Sequence, residues 1–259
     1  MLLLHVQTNP IHPQTMRTSR FAIITLVVAV CAVGMLGASG IGYRQGLWAL
    51  RPAFTVLTWA AYLGFAASVV AIVGLIVSRA NGGATMATFG VALAIGALTG
   101  FLPWRWRTQA QRVPPIHDIT TDMQDPPLFV AILPLRATAK NPVGYGGDSV
   151  AALQRAGYPD IVPLRFPTVP AITFANVRAA ATAMEWELVA ADSASGRLEA
   201  TATTRWFGFK DDVVVRVRAD GSGSRVDVRS LSRIGGSDVG TNAARIRAFA
   251  ARLPGRIPT

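Results

Sequence analysis

Between Phe207 and Gly236 the chain reads FGFKDDVVVRVRADGSGSRVDVRSLSRIGG, with charges at nearly every second position and valines between them. Arginine forks match the geometry of phosphate and carboxylate, so a row of them can hold an anionic ligand, a lipid headgroup or an acidic partner segment. The same row can equally be the wet side of a sheet, tied by cross-strand ion pairs that contribute about 0.2–1 kcal/mol each. Taking DGSG, 220–223, as a hairpin loop sets Ala219 against Ser224, Val217 against Val226, Val215 against Val228 and Arg216 against Asp227. Val213, Val215, Val217, Val226 and Val228 then line a core face. The opposite face carries Asp212, Arg216, Arg218, Arg225, Asp227, Arg229 and Arg233. In the preceding strand Glu199, Thr201, Thr203 and Arg205 fall on this polar side, against Leu198, Ala200, Ala202 and Trp206 on the other. The candidate binding residues are therefore Glu199, Arg205, Asp212, Arg216, Arg218, Asp227, Arg229 and Arg233, a set with arginine in excess of carboxylate.

A second constellation is acidic. His117 is the one histidine of the C-terminal part, and with Asp118, Asp122 and nearby Asp125 it offers an oxygen-rich metal set for a metal-assisted enzyme acting on an anionic substrate. A lone imidazole without a thiolate argues against zinc, and the alternative is that Asp118 and Asp122 cap local turns. Asp211 and Asp212 are adjacent in a strand and point to opposite faces, which argues against a catalytic carboxylate pair. Ser230 and Ser232 lack a neighbouring histidine in sequence. The loop NPVGYGG, 141–147, resembles an anion cradle ahead of a helix but lacks the lysine and hydroxyl of a phosphate loop. No cofactor is implied, and a non-enzymatic binding or accessory module is the favoured reading.

The elements that must hold these residues divide into two halves. Hydrophobic residues make up 51% of the 259 and charged ones 15%, too apolar for an ordinary soluble domain. All 14 acidic residues lie from Asp118 onward, whereas residues 1–102 carry only Arg17, Arg20, Arg44, Arg51 and Arg79. Three uncharged stretches, 21–40, 53–78 and 86–102, satisfy the length rule for spanning helices, and their lack of charge argues against a transport path. Gly96 and Gly100, and Gly34, Gly37 and Gly40, stand at helix-packing spacing. Residues 1–20 form a tail in which 1–15, with His5 and His12, reads as an extension ahead of a start at Met16. The first stretch is read as an uncleaved anchor, because VVAVC lacks the small residue that a lipoprotein cysteine requires. Trp104 and Trp106 in PWRWR mark an interfacial anchor, and 103–125 an interfacial and linker segment. The net charge of +11 brings no Lys/Arg run, which argues against nucleic acid. The single Cys31 excludes an intrachain disulfide.

From 126 to 259 the pattern predicts an α+β domain: helix 148–157 with Asp148 as N-cap, a helix whose stripe is Phe174, Val177, Ala181 and Met184, four strands at 186–192, 196–206, 211–219 and 224–233, and a last helix capped by Asp238. The fold class is a membrane protein with three N-terminal transmembrane helices and a C-terminal α+β domain, its four-stranded antiparallel meander bracketed by helices.

The runs IHDITTD (116–122), YPDI (158–161), GRLEATATTRWFGFKDDVVVRV (196–217) and VDVRSLSRIGGSDVGTNAARI (226–246) resemble the bacterial domain-of-unknown-function family 1499 over roughly 113–254. Glu185 stands where the resemblance implies glycine. The family has no agreed biochemical activity, so the resemblance implies an architecture and not a reaction. Arg17 and Arg20 before the first span favour a C-terminal domain outside the cytoplasm, while Arg44, Arg51, Arg105, Arg107 and Arg112 favour the opposite. Exported members of the family tip the expectation to a multi-pass bacterial inner-membrane protein with a periplasmic domain. Its expected partners are the bilayer and an envelope protein, lipid headgroup or other anionic ligand.

Overall fold

The computed structural model describes residues 18–80 and 83–257. The expected extension 1–15, Met16 and Arg17 lie outside the described residues. The described chain forms two compact units. One takes in the residues up to Ser39 with Leu50–Trp104, and the other Gly40–Ala49 with the residues from Arg105 on.

Three helices are long and apolar enough to cross a membrane, α1 (Arg20–Arg44), α2 (Leu50–Val77) and α3 (Gly83–Arg112), and the first unit is built from them apart from the last turns of α1 and α3. With no water in a bilayer core, each span must satisfy its own backbone, and a continuous helix does so. Helices then meet through small residues. A Cβ on Gly64 would stand 2.8 Å from the Gly96 carbonyl oxygen, and one on Gly96 would stand 2.6 Å from the Gly64 oxygen, so α2 and α3 touch backbone to backbone. Phe89 fills the notch left by Gly74. Of the three glycines predicted to pack in α1, a Cβ added to Gly34 or Gly37 would meet nothing within 4 Å. The third helix outruns the predicted 86–102: it continues through Pro103 to Arg112, so the PWRWR residues sit on the helix itself.

In the second unit the four predicted strands are β3 (Glu187–Asp192), β4 (Arg197–Thr203), β5 (Lys210–Asp220) and β6 (Gly223–Ser232), antiparallel and consecutive. The β5–β6 register is the predicted one, with Val217 opposite Val226, Val215 opposite Val228 and Arg216 opposite Asp227. Two short strands enlarge the sheet to six: β1 (Asp118–Thr120) and β2 (Leu164–Phe166) pair with opposite ends of β6. Both come from Pro-rich stretches without periodicity. The predicted second strand is shorter than expected, since the chain leaves the sheet at Thr203 and turns through Arg205, Trp206 and Phe207.

The valine face packs against α5 (Pro170–Ala183) and α6 (Thr241–Ala250). Phe174, Val177 and Ala181 of α5 and Ile246 and Phe249 of α6 are buried on it, and Trp186 stacks on Phe249 at 5.1 Å. The helix α4 (Gly147–Gly157) begins one residue ahead of Asp148. Its N-cap is Gly146 without a side-chain bond, which corrects the expected Asp148 cap. Asp238 also acts differently from the expectation. It lies before the cap residue Gly240, and its carboxylate accepts the amides of Gly240 and Asn242 while Val239 and Gly240 take φ of 55° and 85°. Burial pushes the Asp238 carboxyl above the usual carboxylate range.

Glu185 explains its own oddity. It follows α5 at φ 58°, its amide donates to the Thr182 carbonyl, and Trp186 N–H donates to the Ala181 carbonyl. This is a left-handed helix stop in which glycine is the usual residue, because a Cβ there meets the next carbonyl. The position where glycine was implied is one whose backbone favours it.

Candidate functional site

The polar side of the sheet carries a lid. Residues 121–145 run across it, and each piece is held by a group that strand alternation turns away from the valine core. Glu199, fully buried, accepts hydrogen bonds from three consecutive amides, Val130, Ala131 and Ile132, at 2.9–3.1 Å. A carboxylate ahead of the short 3-10 turn Leu133–Arg136 sits where free N–H groups converge. Phe129 and Ile132 drop onto Val214 and Leu231, forming a small second core on the polar side.

Beneath this cover the arginines are matched to carboxylates. Arg229, 1% exposed, grips Asp118 with Nε to Oδ1 at 2.9 Å and Nη2 to Oδ2 at 2.7 Å. It also donates to the carbonyls of Pro127 and Val143 and lies over the rings of Phe129 and Tyr145. The loop read as an anion cradle thus serves an internal arginine. Burial, followed by the Asp118 charge, pushes the Tyr145 hydroxyl up to about 12. Asp212, fully buried, receives Arg136 at 2.5 Å, Arg233 at 2.8 Å and the Thr201 hydroxyl at 3.0 Å. Asp211, on the other side of the strand, pairs with Arg245 of α6 at 2.5 Å, so the two adjacent carboxylates are separated as strand geometry requires.

At the hairpin end of the same face the pairing loosens. Register sets Arg218 directly opposite Arg225, and Arg225 opposite Arg165 on β2, a row of three arginines across three strands. Asp227 beneath them is fully buried and accepts from Arg216, Arg218 and Arg225. Asp122 takes Arg225 at 2.6 Å and Arg216 at 3.2 Å. Asp125, 66% exposed, lies 3.0 Å from Arg216 and 3.1 Å from Arg218. These groups open on a cleft of about 460 Å³ whose wall includes Arg155 of α4 and Pro163. Arg155 forms neither a hydrogen bond nor an ion pair with the described residues. Arg216 Nε is buried and unpartnered among the described residues.

Several predicted site residues are placed elsewhere. The metal set does not converge: among the described residues no group of three His, Cys, Asp or Glu side chains gathers as a metal cage. Asp118 is spent on Arg229 and Asp122 on Arg225 and Arg216, while the His117 ring turns toward the Gly236 carbonyl at 3.4 Å. Arg205 leaves the polar face with the turn after β4, where its carbonyl accepts from Arg44. Ser230 and Ser232 are buried in a network with Asn242, and Arg245 donates to Ser230. His117 reaches them only through its backbone carbonyl, which accepts from Asn242 and from Ser232 N–H. Residues missed from the sequence lie outside the strands: Asp122 and Asp125 as counter-ions of the arginines, Arg136 as a partner of Asp212, and Arg155 on the cleft wall.

Fold and site together define a membrane-spanning protein with an α+β domain whose polar sheet face is filled by an internal arginine–carboxylate lattice, open at one end. The chain belongs to the family described as Protein of unknown function (DUF1499), whose model matches residues 118–253, more than half its length. No curated protein matches it. The motifs that carried the resemblance are largely lattice residues: Asp211 and Asp212 of FKDD, Asp227, Arg229, Ser230 and Arg233 of the β6 run, and Asp238 and Asn242 of SDVGTN.

Proposed function

We propose that this is a multi-pass inner-membrane protein of the bacterial envelope whose C-terminal domain faces the periplasm. There it works as a binding module, without chemistry of its own, for a phosphoryl or carboxylate group on an envelope component or partner protein. The observation that carries the reading is the row Arg165, Arg225 and Arg218, of which Arg225 and Arg218 line the cleft while Arg165 is answered by Asp220. Like charges directly opposite in a sheet are destabilising, so such a row demands anions. The chain supplies Asp227 from below, buried and fixed, and Asp125 from above, exposed and carried on a segment outside the strands. An incoming anion that replaces Asp125 inherits Arg216 and Arg218 and gains Arg155, which has no carboxylate partner among the described residues. The periplasmic side is supported by Arg20 at the head of the first span and Arg17 before it.

Inorganic pyrophosphate titrated into the full-length protein in detergent tests the site. Asp125→Asn removes the competing charge and is expected to tighten binding by roughly three- to tenfold. Arg155→Ala removes a charge-assisted donor of about 1.5–3 kcal/mol, a loss of about tenfold or more. Neither variant touches a buried pair, so both keep the wild-type melting temperature. Binding that ignores both substitutions, or no binding at all, contradicts the reading.

A further inference from the structure

Among the cations that have no ion pair in the described residues, five gather at one place. The arginines of the sheet and of its lid are consumed by carboxylates, but Arg44, Arg105, Arg107, Arg205 and Lys210 are exposed and none is in an ion pair among the described residues. No acidic residue precedes Asp118 anywhere in the sequence. These five surround an aromatic cluster within one compact unit. Trp206 packs on Trp106 at 4.9 Å and on Phe207 at 5.2 Å, Phe207 stacks on Phe209 at 5.1 Å, and Tyr43 lies 5.5 Å from Phe209.

The cluster is a built joint. Any Cβ on Gly40 would stand 2.3 Å from the Trp206 ring, so only glycine lets the indole lie on that turn of α1. Gly208, at φ 67°, bends the loop between β4 and β5 and leaves room for the Arg44 stem, whose guanidinium donates to the Arg205 carbonyl at 2.8 Å. Its location follows from covalent connection. Gly40–Ala49 includes the link between two spanning helices, and Arg105 follows the apolar run of the third, so with three spans both lie where the chain leaves the bilayer on the same side. Indole and phenol rings favour that layer, and arginines there meet lipid phosphates.

We infer that the loop 204–209 is a membrane-interface element, which with Tyr43, Arg44 and the 105–107 turn forms a basic and aromatic collar that binds anionic phospholipid headgroups. The soluble part of the domain is thereby held against the membrane by a loop distant in sequence from any span. This site shares no residue with the cleft.

The full-length chain reconstituted in phosphatidylcholine vesicles, with and without phosphatidylglycerol, tests it by amide hydrogen exchange. Residues 204–209 are expected to exchange at least about fivefold more slowly with phosphatidylglycerol, since each basic residue near an anionic surface contributes about 1 kcal/mol. High salt and the double variant R107E/R205E, which breaks no ion pair among the described residues, should each abolish the difference while β5 and β6 exchange unchanged. Equal exchange in the two lipids overturns the proposal. So does equal slowing when glycerol phosphate is added to phosphatidylcholine vesicles, which would assign the site to a soluble anion.

Discussion

Replacing Arg229 with methionine is expected to destabilise the domain by about 3–5 kcal/mol, because it leaves Asp118 charged and 6% exposed in its side chain with no counter-ion. For a domain of this size that is a fall in melting temperature of roughly 10 °C. The loss reaches beyond the pair: the carbonyls of Pro127 and Val143 lose their donor, and the rings of Phe129 and Tyr145 lose the cation they sandwich. Removing both charges in R229M/D118L should restore most of the stability, since an apolar pair of similar volume avoids the desolvation that the ion pair bears. Arg247→Ala provides the contrast. Its pair with Asp160 is 45% and 54% exposed, where solvent screening leaves about 0–1 kcal/mol. Unfolding of the detergent-solubilised protein checks all three, and an Arg229 variant no weaker than the Arg247 variant contradicts a buried lattice.

The second large effect lies in the lid. Glu199→Ala strands the amides of Val130, Ala131 and Ile132, of which the buried Ile132 donor costs on the order of 1–3 kcal/mol and the part-buried Val130 and Ala131 donors less. The lid has a cheaper escape than global unfolding, since it rests on few apolar contacts, chiefly Phe129 and Ile132 on Val214 and Leu231. Local opening is therefore the expected outcome. Hydrogen exchange should accelerate at residues 130–132 by at least tenfold while β5 and β6 stay protected. Glu199→Gln recovers only part, because a carboxamide offers one acceptor oxygen to three donors and turns its own NH₂ toward them. Unchanged exchange at 130–132 in Glu199→Ala contradicts the account of how the lid is held.

The legible parts of this fold are those written in a period. Alternation of valine and charge fixed the β5–β6 register residue by residue, since a slip of one would turn Val215 and Val228 out of the core. The stripe Phe174, Val177 and Ala181 fixed the buried face of α5 in the same way. Alternation shows which face is polar, though, and not whether something covers it. Residues 121–145 have no period, and their fit depends on long-range partners such as Glu199 and Arg229. The three-residue strands β1 and β2 are too short to leave a pattern. Counting arginine against carboxylate on the strands alone gave an excess. The missing carboxylates were Asp118, Asp122 and Asp125, the residues that looked like a metal set. Two separate readings of the sequence were the two halves of one lattice, and only tertiary structure joins them.

Arginine footprinting with phenylglyoxal on the full-length protein tests the central claim directly, that the polar face is closed except at its cleft. Arg155 and Arg218, the latter 42% exposed in its side chain, should be modified readily and be protected by inorganic pyrophosphate, whereas Arg136 and Arg229, at 4% and 1%, should resist until the protein unfolds. Modification of Arg136 and Arg229 at the rate of Arg155 in the folded protein would contradict it, and would mean that the whole arginine face is open to solvent.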